Sequence, residues 1–99
     1  MKNQVIIDRM YAGDREAIIS GIDAESPILV MNSIMAGVKM RIRDIRFMNG
    51  LKKAEERKEI LLGISLSKAA VAAEHLLGIR KYEGDDQMIL SMIASEFRV

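Results

Sequence analysis

An all-α fold is predicted for this chain of 99 residues, and three observations predict it. Apolar residues recur at helical spacing along nearly the whole length, and no alternating apolar–polar run with flanking turn signals persists. Proline occurs once, at Pro27, so little interrupts that spacing. Five of the seven glycines stand directly before an aliphatic residue, at Gly21-Ile22, Gly37-Val38, Gly50-Leu51, Gly63-Ile64 and Gly78-Ile79. Glycine followed by an aliphatic residue is the sequence form of a helix ending: the glycine turns left-handed and the next side chain folds back on the last turn. Successive intervals of 13 to 16 residues are each one helix plus a turn, which gives five to six helices. A chain this short builds one hydrophobic core, so residues 1–99 are expected to form a single helical domain, packed as antiparallel pairs in an α/α array or a compact bundle.

The helix starts agree with those endings. Asp14 is placed to cap a short helix through Ser20, with Ile18 and Ile19 facing inward. Ser26 before Pro27 marks the next start, because serine accepts an orphan amide bond and proline suits the first helical position. From there Ile28, Met31, Met35, Val38, Ile42 and Ile45 repeat at alternating steps of three and four. That heptad spacing favours one long helix from Pro27 to about Met48, with Gly37 tolerated inside it at about 1 kcal/mol. A break at Gly37 would give two shorter helices instead. Ser65 or Ser67 caps the alanine-rich run 69–77, which closes at Gly78. Residues 80–84 form a loop, and Asp85 and Asp86 open a last helix with the stripe Met88, Ile89, Met92 and Ile93.

Two segments end alike, Leu61-Leu62-Gly63-Ile64 and Leu76-Leu77-Gly78-Ile79, the second closing a helix rich in small residues (Ala69, Ala70, Ala72 and Ala73). This combination over residues 41–96 resembles the inner helices of HEAT-like α/α-repeat modules, a class that includes small helical immunity proteins of bacterial toxin systems. The resemblance implies a short HEAT-like array and a role in binding other macromolecules.

Composition excludes several functions. There is no cysteine, hence no disulfide scaffold, thiol enzyme or Cys-ligated zinc site, and the cytoplasm is the expected compartment. The most apolar stretch, residues 28–38, contains Asn32 and Ser33 and is about half the length of a membrane span, and Asp8 and Arg9 lie where a secretion signal would be apolar. The sole histidine, His75, has no second histidine or cysteine with which to hold a metal, and lies where it would interact with the end of its helix. Ser65-Leu66-Ser67-Lys68 fits S-x-x-K, but the S-D-N and K-T-G elements that this chemistry needs are missing, so a helix cap accounts for it. Glu83, Asp85 and Asp86 lack the spacing of a calcium loop and read as a solvated helix start. No catalytic residue, metal ligand or cofactor is therefore expected.

The net charge of +1 is a cancellation. Residues 39–53 hold six cations against Asp44 alone, a net +5, and the remainder carries −4. On one long helix Lys39, Arg43 and Arg46 would line up, with Arg41 nearby, as a solvated face or a contact for an acidic protein or a phosphate backbone. With four aromatics and no tryptophan, Phe47 and Tyr82 join these cations as candidate partner-binding residues. An apolar content of 49% is high for so small a body and points to apolar surface left outside the core. The leading expectation is a non-enzymatic protein–protein interaction module, binding another protein or a second copy of itself. The alternative is a small nucleic-acid-binding regulator that uses the basic segment 39–53.

Overall fold

A computed structural model describes residues 2–61 and 63–79. Five helices run through them: α1 (Lys2–Tyr11), α2 (Arg15–Ile22), α3 (Pro27–Lys39), α4 (Ile45–Ala54) and α5 (Leu66–Leu76). Between α4 and α5 a small antiparallel hairpin pairs β1 (Ile60–Leu61) with β2 (Ile64–Ser65), in the register Ile60 to Ser65 and Leu61 to Ile64. The fold is an all-α helical bundle with this one short hairpin among the described residues. The expected loop at 80–84 and the expected last helix lie outside the described residues.

The bundle is organised around α3. Every residue from Leu29 to Gly37 is buried, so this helix has no solvent face along its middle. A helix apolar on all sides belongs in the centre of a fold, and α1, α2, α4 and α5 all pack against α3. Its two polar members are satisfied there. The Ser33 hydroxyl donates to the Ile18 carbonyl, and Asn32 donates to the Ile28 carbonyl while accepting from the Tyr11 hydroxyl at 3.1 Å. These bonds tie α3 to both α1 and α2, and they offset a desolvation cost of about 1–3 kcal/mol for each polar group left unmatched.

The expected starts stand where the capping residues put them. Asp14 accepts from the Ala17 amide at the head of α2, and Ile18 and Ile19 are buried. Ser65 accepts from the Lys68 amide at the head of α5, so the S-x-x-K match is a helix cap. Pro27 opens α3 with Ser26 at the N-cap, although the Ser26 side chain makes no capping bond.

The expected long helix does not form, and neither does the break at Gly37. The chain leaves the helix after Lys39 and begins a new one at Ile45. Met31 and Met35 are buried as the heptad spacing required, but Ile28 and Ile45 at its two ends are exposed. Asp44 supplies the physical reason, since its carboxylate caps α4 by accepting from the Arg46 amide at 2.8 Å.

Three of the five supposed terminators, Gly21, Gly37 and Gly50, lie inside helices. At Gly37 the missing side chain leaves a notch for the Phe47 ring, on which a Cβ would collide. Gly21 and Gly50 likewise admit Met10 and Ile22. Gly63 turns the two-residue hairpin loop at φ +79° rather than ending a helix. Gly78 does end one: its amide bonds to the His75 carbonyl and the Ile79 amide to the Glu74 carbonyl, closing α5 in a left-handed turn. Gly63-Ile64 and Gly78-Ile79 therefore adopt different structures.

Arg57 locks the long connection in place. Its guanidinium donates to the carbonyls of Ala24 and Glu25, at 2.9 and 2.7 Å, and pairs with Glu59. The segment before the hairpin is thereby held against the turn between α2 and α3. The Glu59 carboxyl is held below its ordinary range by that same guanidinium.

Candidate functional site

The start of the basic segment lies where two turns meet at one corner of the bundle. The first, residues 12–14, joins α1 to α2. Its Gly13 sits at φ +98°, with the Gly13 amide bonded to the Met10 carbonyl and the Asp14 amide to the Arg9 carbonyl. The second, residues 40–44, joins α3 to α4 with the same bonding pattern, from the Arg41 amide to Val38 and from the Ile42 amide to Gly37. This closure requires a left-handed residue, a role that glycine fills at Gly13 and Gly78. Here an arginine fills it, at φ +53°. An L-residue with a Cβ is disfavoured in that region by about 1–2 kcal/mol. Ile42, the next residue, is fully buried and anchors the turn to the core.

Side chains join the two turns. The Met40 methyl lies 3.6 Å from where a Cβ on Gly13 would stand. Arg46 spans the gap, donating to the Glu16 carboxylate at 3.2 and 3.3 Å and to Asp44 at 3.2 and 3.3 Å. Arg9 grips Asp14 with two donors at 2.6 and 2.9 Å. These contacts shift the carboxyls. Asp14 is held below its ordinary value chiefly by the Arg9 guanidinium, with the Ala17 amide assisting. Asp44 is lowered by the Arg46 side chain, then by the Arg46 amide, with a smaller contribution from the Arg15 charge. The Arg46 guanidinium is raised in turn by Asp44 and Glu16.

The predicted cations are not a helical stripe. Lys39 ends α3, Arg41 and Arg43 lie in the turn, and Arg46 lies in the first turn of α4, all four of them exposed. Arg46 is engaged by two carboxylates, whereas Arg41 and Arg43 have no side-chain hydrogen bond or ion pair among the described residues. Phe47 is corrected from candidate contact to core: its ring is 0% exposed and fills the Gly37 notch. Tyr82 lies outside the described residues. Farther along α4, Lys52 reaches the buried Glu74 carboxylate at 3.5 Å and Lys53 reaches Asp23 at 3.8 Å. The first pair links α4 to α5, and the second is a long surface pair that adds little.

The corner contains apolar residues that the sequence did not mark as part of a site. Met40 and Ile45, 40% and 65% exposed, flank the arginine turn. Ile45 fits the heptad spacing and so reads as core, but Asp44 immediately before it is an N-cap residue type, and that signal places Ile45 on a first helical turn instead. A shallow groove of about 250 Å³ adjoins the corner, with Ile6, Ala17 and Ser20 along it and Arg9 and Glu16 at its edge. His75 is half-buried in the last turn of α5, and no group of three potential metal ligands occurs among the described residues. No helix among the described residues is long and apolar enough to cross a membrane. What the corner offers chemically is exposed guanidinium groups close in sequence to exposed aliphatic side chains. Comparison with known protein families, curated proteins and solved structures finds no match to this chain.

Proposed function

We propose that the protein is a non-enzymatic helical module that binds another protein, or a second copy of itself, through the corner built by residues 12–16 and 39–46. One observation carries this reading: Met40 and Ile45 stay exposed beside Arg41 and Arg43, whose side chains pair with nothing among the described residues. Aliphatic side chains at the surface next to unpaired cations supply both the burial and the charge matching that association uses. The alanine-rich α5 closed at Gly78 keeps one of the two features behind the resemblance to HEAT-like modules and small helical immunity proteins, and that resemblance suggests a concrete member of the class, the neutralisation of a toxin by direct binding. The lack of cysteine supports a cytoplasmic setting.

Light scattering during size-exclusion chromatography, with purification from the native host under mild conditions, tests the proposal. The expected result is either a dimer or a stoichiometric co-purifying protein, lost on Ile45→Glu. A monomer that retains no partner would overturn it. A second reading, a small nucleic-acid-binding regulator, draws on the same two unpaired arginines. It requires binding to duplex or single-stranded probes that weakens steeply with salt and disappears in Arg41→Glu/Arg43→Glu.

A further inference from the structure

We infer that the arginine corner docks an acidic amphipathic segment of a partner protein, with Arg41 and Arg43 meeting its carboxylates and Met40 and Ile45 its apolar side chains. This rests on the protein-binding reading above and specifies the partner's chemistry.

Charge is the first argument. The three carboxylates of the corner are already engaged, Asp14 by Arg9 and both Glu16 and Asp44 by Arg46. Arg41 and Arg43 are thus an excess of positive charge that no carboxylate among the described residues neutralises. A complementary surface is anionic.

The backbone supplies a second, independent argument. Turn closure after α3 needs a left-handed residue, and glycine serves at both sister turns. Arginine at this position is less favourable, and its guanidinium makes no bond among the described residues that would offset the difference. Backbone strain that the fold does not use locally is characteristic of functional positions. The backbone that carries the side chain is tied down by the buried Ile42, and the side chain itself is exposed. A backbone ordered before binding lowers the entropy lost on association.

Apolar neighbours decide the class of partner. Met40 and Ile45 gain from burial against aliphatic side chains and gain nothing from a phosphate backbone. Residues 12–16 and 39–46 include no aromatic side chain for base stacking, and the neighbouring Phe47 is buried. A protein segment with alternating carboxylates and aliphatic side chains satisfies both halves of the surface. The groove edged by Arg9 and Glu16 extends that surface toward α1.

The test uses the full chain and three fluorescent probes, read by anisotropy at two salt concentrations: a helical peptide of Glu and Leu, its Lys-for-Glu counterpart, and a duplex DNA. The Glu/Leu peptide is expected to bind, more weakly at higher salt, and the Lys/Leu peptide is not. Arg41→Gly separates the surface role from the fold. It should raise the Tm by about 2–6 °C by relieving the turn, yet weaken peptide binding by about fivefold or more. Arg41→Glu/Arg43→Glu should abolish binding, and Lys58→Glu, a charge reversal on the connection before β1, should leave it intact. If Arg41→Gly is stabilised but binds the peptide as well as the parent does, the proposal fails. It also fails if no peptide binds or if duplex DNA is preferred. A co-purifying host protein that persists in Arg41→Glu/Arg43→Glu would overturn this surface while leaving the protein-binding function standing.

Discussion

At Gly37 helix propensity and packing point in opposite directions. Replacing an exposed helical glycine with alanine ordinarily stabilises by about 1 kcal/mol. Here the new methyl would collide with the buried Phe47 ring, so Gly37→Ala should cost about 1–3 kcal/mol, as overpacked cores do. Urea unfolding decides between the two signs, and a gain in stability would mean that the ring has room to move. Gly78 presents the reverse case. A Cβ there meets no atom within 4 Å, so the whole cost of Gly78→Val is backbone strain at φ +77°, about 1–2 kcal/mol. Arg41→Gly should stabilise by about 0.5–1 kcal/mol, since part of the relief is returned as extra freedom of the unfolded chain. The same three-residue closure thus tolerates a side chain after α3 and should reject a branched one after α5.

Elements were legible where a side chain sets a boundary by itself. Asp14, Ser65 and the Ser26-Pro27 pair mark helix starts through local chemistry, and the structure begins helices there. Boundaries that depend on tertiary packing were not legible. The heptad spacing across 28–45 is shared by two helices, because Ile42 enters the core from a turn and Ile45 does not enter it at all. Gly13 ends α1 but precedes Asp14, so it lacks the aliphatic residue that marks such endings. Nothing local distinguishes Gly63 in a hairpin from Gly78 at a helix end, since both follow Leu-Leu and precede Ile. Arg57 had no signal of its own, being one cation in the run 55–59. It nevertheless holds the connection between α4 and β1 through two carbonyls and a carboxylate. Arg57→Lys keeps the charge but loses the planar fork, and it should destabilise by about 1.5–3 kcal/mol in chemical denaturation.

The whole molecule should respond to acid through its arginine corner. Asp14 and Asp44 are both held below 3.8 in the folded chain, so the unfolded chain binds their protons more readily. Their contribution to stability is present above that value and is lost as pH falls through the depressed ones. Asp14→Asn/Asp44→Asn should therefore flatten the dependence of stability on pH below about pH 4, with little change in slope above pH 5. The all-round burial of α3 makes a separate prediction. Its amides from Val30 to Gly37 should exchange hydrogen only through global unfolding, while those of the 60–65 hairpin exchange through smaller openings. Of the candidate site, the sequence disclosed the excess positive charge and its segment. It hid the geometry, because a turn at 40–44 and not a helix presents the arginines, and because Phe47 was needed inside.

Arg41 also carries a stereochemical consequence. A backbone at φ +53° is where an amino acid of the opposite hand rests without strain. A 99-residue chain is short enough for chemical assembly from peptide fragments. A synthetic protein with D-arginine at position 41 should keep the guanidinium at the corner while gaining the stability that glycine would provide there. Handedness, not charge, would then be the only thing changed at the turn.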